Sequence, residues 1–155
     1  MRARGPREGL VPPANRERSA ENLKLNKDYR AAYNNDIRNV ALARRGISAF
    51  ATECGFSVEE VSDIRLAAGE ALSNAFEHAS ANPRRKVTVN CTFDGSQLTI
   101  EIHDRGRGFP APLVQSSVEP DDRGRGFGIF LMRRLMDEVS FENNGTVVRL
   151  VRRRP

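Results

Sequence analysis

Glu70-Ala-Leu-Ser-Asn74-Ala-Phe-Glu-His78 repeats a polar residue at every fourth position through a run otherwise fit for a core. Four residues make slightly more than one helical turn. Glu70, Asn74 and His78 therefore climb one stripe in steps of roughly 6 Å with modest angular drift. The residues between and after them, Ala71, Leu72, Ala75, Phe76 and Ala79, suit burial. A carboxylate, an amide and an imidazole facing one way can hold a metal and steer a proton.

Working back from this stripe, Ser57-Val-Glu-Glu60 is a capping box, and it predicts a helix from there to about Ser80. The apolar side of that helix includes Val61, Ile64, Ala68, Leu72 and Ala75. An earlier helix is expected over Asp36 to about Glu53, with Ile37, Val40, Ala41, Ile47, Ala49 and Phe50 available for its buried side. Gly55 ends it, as a residue that tolerates left-handed dihedrals should. Tyr29 to Asn34 carries a weak strand signal.

Working forward, Asn82-Pro83-Arg84 breaks the long helix. Lys86 to Phe93 and Gln97 to His103 read as strands joined by Asp94-Gly95, a hairpin signal. Val87, Val89 and Cys91 alternate in the first, and Leu98, Ile100 and Ile102 in the second, so each strand offers one apolar face. Residues 105–125 are rich in glycine and punctuated by proline, a long loop of the kind that is functional or disordered. A helix over about Gly126 to Asp137 follows. Strands near Val139–Glu142 and Thr146–Arg152 close the chain, joined by Asn143-Asn144-Gly145.

The 155 residues suffice for one domain with a real core. Hydrophobic content of 39% against 29% charged places the chain among soluble globular proteins. No apolar run approaches a membrane span and no signal-peptide region opens the chain, so a cytoplasmic protein without a membrane partner is expected. Cys54 and Cys91 are isolated, which argues against a structural zinc site and a disulfide framework. The net charge of +5 sits at the ends. Residues 1–30 hold eight Arg and Lys against four Asp and Glu, residues 149–155 add four Arg, and the stretch between is mildly acidic. Residues 1–28 read as a flexible basic tail and 29–152 as the folded domain. Such tails bind nucleic acid or acidic proteins weakly, or simply aid solubility; direct nucleic-acid binding is not the expected role.

Two further segments bear on chemistry. The second hairpin strand ends at Asp104-Arg-Gly106-Arg-Gly108-Phe109, where alternating glycines permit a turn and a close backbone approach to a flat ligand. Arg123-Gly124-Arg125-Gly126-Phe-Gly128 lies at a helix start, where free N–H groups and two arginines can hold phosphates. No strand leads directly into these glycines, so a dinucleotide-binding fingerprint does not apply.

Taken in order, the three segments resemble the N box and the two glycine boxes of the ATPase superfamily shared by gyrase, a heat-shock chaperone, sensor histidine kinases and a mismatch-repair protein. The chain is most similar to the anti-sigma factor serine/threonine kinase branch, through its E-x-x-x-N-A-x-x-H-A helix, its short lid and its G-R-G-F-G segment. The resemblance covers roughly residues 36–152. It implies an α+β fold: a two-layer α/β sandwich of the Bergerat type, with a mixed, mainly antiparallel sheet under helices and ATP between helix and lid.

By the same resemblance, Asn74 ligates Mg²⁺ through its amide oxygen and Glu70 is the general base. Asp104 reads adenine, and Gly106 and Gly108 let the base sit against the backbone. Gly124, Gly126 and Gly128, with Arg123 and Arg125, face the phosphates. The implied function is an anti-sigma factor that phosphorylates a STAS-type anti-anti-sigma protein. The implied partners are a sigma factor and that STAS protein, and such folds commonly dimerise. Alternatives remain at this point. A catalytically inactive ATP-binding module would keep Asn74, Asp104 and the glycines. A histidine kinase fragment would need an upstream helical hairpin bearing a phosphoacceptor histidine. His78 and His103 read as structural residues, and Arg105 and Arg107 read equally as ligand contacts or solvated charges.

Overall fold

The computed structural model describes residues 26–79, 84–105 and 126–155. Five strands form one sheet: β1 (Lys27–Asn34), β2 (Lys86–Phe93), β3 (Gln97–His103), β4 (Glu138–Glu142) and β5 (Val147–Arg153). Their order is β1-β2-β3-β5-β4, and each of the four pairings is antiparallel, so no parallel pair occurs among the described residues. The helices are α1 (Asn39–Glu53), α2 (Val58–His78) and α3 (Phe127–Leu135), and α2 packs against both others. The α+β sandwich is thus the observed architecture.

The register shows why the layers form. Tyr29, Cys91, Ile100, Leu150 and Val139 lie in one row across all five strands, facing the helices. The neighbouring row of Arg30, Asn90, Glu101, Arg149 and Ser140 faces the other way. Ile47 of α1, Ile64 and Leu72 of α2 and Met132 of α3 are fully buried against the apolar rows. The alternation read from β2 and β3 therefore sets which face carries the helices.

Local signals account for the boundaries. Ser57 Oγ accepts from Glu60 N–H at 3.2 Å and Glu60 Oε2 accepts from Ser57 N–H at 2.8 Å, the reciprocal pair that starts α2. At the hairpin, Asp94 Oδ1 accepts from Ser96 N–H, Ser96 O–H and Gln97 N–H, and Gly95 takes φ +93°. Gly55, at φ +84°, follows the end of α1.

The start of the domain differs from expectation. β1 begins at Lys27, so Lys27 and Asp28 belong to the sheet rather than to the basic tail. α1 begins at Asn39 because Asp36 makes a turn of its own, its carboxylate accepting from Arg38 N–H and the Arg38 guanidinium. Ile37 precedes the helix and is 65% exposed. The buried stripe runs through Ala43, Ile47, Phe50 and Ala51, while Ala41 and Ala49 face solvent. β1 is fastened to α1 by Tyr29, which stacks on Phe50 with ring centroids 6.0 Å apart. Its hydroxyl fills the space that a side chain at Gly46 would take.

Both cysteines are free and buried. Burial pushes the Cys91 thiol up to about 12 and raises that of Cys54 as well, so both stay protonated at neutral pH. Neither thiol should react with a disulfide reagent in the native protein. The rate of modification, followed by absorbance against denaturant, should track unfolding; fast reaction of either thiol under native conditions would contradict this packing.

Candidate functional site

The polar stripe of α2 is set by its packing. Ile64, Ala67, Ala68, Ala71, Leu72 and Ala75 face the core. Glu70 and Asn74, one helical turn apart, are left half-buried at the edge of that face, and His78 is exposed beyond them. Among the described residues, neither the Glu70 nor the Asn74 side chain has a hydrogen-bond partner. Both side chains therefore face solvent at the edge of α2, where a ligand can reach them.

α3 begins directly against it. Gly126 caps the helix at φ +81°, where a side chain would be strained although there is space for one. A glycine cap has no side chain to offer, so the first N–H groups of α3 lack the usual side-chain acceptor. Gly128 lies in the first turn. A Cβ there would stand 2.8 Å from Glu70 Oε2 and 3.7 Å from Asn74 Nδ2. The structure thus brings Glu70, Asn74 and Gly128 together, with Gly126 one step away. Gly106, Gly108, Arg123, Gly124 and Arg125 lie outside the described residues, as does Arg107.

Asp104 leaves the end of β3, a strand that packs beneath α2. It is 7% exposed, and its backbone N–H donates to Thr146 O at 2.9 Å. Asp104 and Thr146 line a cleft of about 530 Å³ together with Arg84, Arg85, Lys86 and His103, and Glu70, Asn74 and Gly128 are not among its lining residues. Thr146 is a neighbour of Asp104 that the sequence reading did not single out. The signal was available: pairing β3 with β5 sets His103 opposite Val147, which puts Thr146 beside Asp104. His103 faces away from the helices, its Nε2 3.5 Å from Glu101 Oε2, consistent with a strand residue. Glu101 also lies 3.9 Å from Arg149, so these charges form a patch of their own.

An antiparallel sheet covered by helices, with an acid and an amide on the central helix beside a glycine-started helix, defines a two-layer α+β domain with a polar pair at the helix edge. The chain belongs to the histidine kinase-like ATPase domain family, whose profile matches residues 33–152. It is 32% identical over 124 residues to the anti-sigma F factor of Thermoanaerobacter sp. strain X514, covering 74% of this chain and 85% of that protein. It is 31% identical over 113 residues to the serine-protein kinase RsbW of Oceanobacillus iheyensis, covering 67% and 72%. Among solved structures, the RsbU and RsbW domains of Rv1364c from Mycobacterium tuberculosis share the fold, with a TM-score of 0.59 at 16% identity. That match covers 82% of this chain and 31% of the longer protein. No helix among the described residues is long and apolar enough to cross a membrane.

Proposed function

We propose that this chain is an ATP-dependent protein serine/threonine kinase that acts as an anti-sigma factor. In this reading it binds a sigma factor and phosphorylates a STAS-type partner. The observation that carries the reading is the closure of Gly128 onto Glu70 and Asn74, which sets an acid beside an amide at the start of a helix with open N–H groups. The names of the relatives, an anti-sigma factor and a serine-protein kinase, support the same conclusion.

Mg²⁺ fits these residues. It keeps most of its waters and takes few protein ligands beside substrate phosphates. Asn74 offers one unpartnered amide oxygen, and no cluster of three or more His, Cys, Asp or Glu suited to a metal occurs among the described residues. Asn74 would hold the ion, which when bound neutralises phosphate charge. Gly126 and Gly128 leave the start of α3 open to the triphosphate, with the helix N-terminus favouring its negative charge. Asp104 accepts a hydrogen bond from the exocyclic amine of adenine.

In the transfer itself, the acceptor hydroxyl oxygen bonds to the γ-phosphorus as the bond to the β,γ-bridging oxygen breaks. ADP leaves with that electron pair, and Glu70 takes the hydroxyl proton. Protein, Mg²⁺, γ-labelled ATP and a purified STAS protein encoded by the same organism make the test. Acid-stable label on a serine or threonine of the STAS protein is expected. ATP binding with no label on that partner would favour a module that regulates by binding alone.

A further inference from the structure

Gly128 breaks a local rule. It lies in the first turn of α3 with a backbone that any residue adopts, in contrast to Gly126. Glycine is a poorer helix former than alanine. Backbone conformation therefore gives no reason for glycine at this position, and the neighbouring atoms supply one. The point where a methyl group would sit is 2.8 Å from Glu70 Oε2 and 3.7 Å from Glu70 Cβ, so the carboxylate already takes that place. No described residue holds the Glu70 carboxylate by a hydrogen bond. The bare flank of α3 is what the carboxylate rests on.

We propose that Gly128 is a positioning residue for Glu70: the missing side chain forms a slot that fixes where the proton-accepting carboxylate stands on the α2 stripe. This goes beyond a phosphate-facing role and rests on the kinase reading above. A general base must lie within hydrogen-bond reach of the proton it takes, and a misplacement of about 1 Å costs on the order of 10²-fold in rate. A methyl at position 128 forces the carboxylate to shift away from its present place. Glu70 is flexible at its far end, so the fold should accommodate the change.

The test is Gly128→Ala in the full chain. The expected result is a fall in kcat of roughly 10- to 100-fold, with the affinity for Mg-ATP changed less than about threefold. In a Glu70→Asp background, where the carboxylate is drawn back by one methylene, adding Gly128→Ala should cost little further, because interacting sites are not additive. A stability cycle reads the same contact without activity. If Gly128→Ala lowers Tm, adding Glu70→Ala should restore it. A loss of nucleotide affinity with unchanged kcat would assign Gly128 to phosphate approach and overturn the proposal. Full additivity of the 70 and 128 changes, in rate or in Tm, would also overturn it. If wild-type protein transfers no phosphate at all, the kinase reading fails, and the thermal cycle still decides whether the slot exists.

Discussion

Glu70→Gln is expected to lower phosphotransfer to the STAS partner by roughly 10²- to 10⁴-fold, the range a positioned general base supplies. The affinity for Mg-ATP should remain within about threefold of wild type. Glutamine preserves the shape that rests against Gly128, so packing of α3 on α2 is retained and the loss reports the proton acceptor alone. Among the described residues, no neighbour on the α2 stripe replaces it. Asn74, the next residue up the stripe, cannot accept a proton at neutral pH. Glu77 lies about 10 Å further along the helix and is exposed. Single-turnover transfer and equilibrium nucleotide binding, measured on the same preparations, separate the two effects. Equal transfer rates for the variant and wild type would remove Glu70 from the chemistry and leave the carboxylate as a packing partner of α3.

How far such a site can be read from sequence depends on what kind of contact specifies each part. The Ser57–Glu60 capping box and the Asp94 turn are local, involving residues two or three apart, and the structure reproduces both. The alternation in β2 and β3 is also local, and it correctly assigns the face that meets the helices. The start of the domain was harder. β1 lies at an edge and alternates only between half-buried and exposed residues, so its hydrophobic signal is faint. On α1, Val40, Ile47 and Phe50 were placed correctly, whereas Ala41 and Ala49 are exposed and the turn that Asp36 makes with Arg38 leaves Ile37 outside the helix.

Within the candidate site, the placing of Glu70 and Asn74 on one stripe was legible because their spacing is helical. Thr146 was not, because it reaches Asp104 through the pairing of strands more than forty residues apart in the chain. Gly128 shows the same limit from the other side. A sequence records that a side chain is missing, and a structure is needed to see that Glu70 fills the gap.

Asp104→Ala should weaken ATP binding by roughly 10- to 150-fold, the worth of a hydrogen bond to a charged group, about 1.5–3 kcal/mol. Asp104 is nearly buried at the end of β3, where a carboxylate acceptor is shielded from water and counts for more than at the surface. The effect on base selectivity is the sharper one. A carboxylate accepts from the exocyclic amine of adenine and faces the carbonyl oxygen of guanine unfavourably, as two acceptors. Wild-type protein should therefore bind ATP well above GTP, and the variant should bind both weakly and about equally. The contact to Thr146 uses the Asp104 backbone N–H, which alanine retains. Calorimetric titration with both nucleotides, alongside thermal unfolding of the variant, tests the two claims together. An ATP affinity within threefold of wild type, with the preference over GTP intact, would place the base elsewhere than the Asp104–Thr146 end of the cleft.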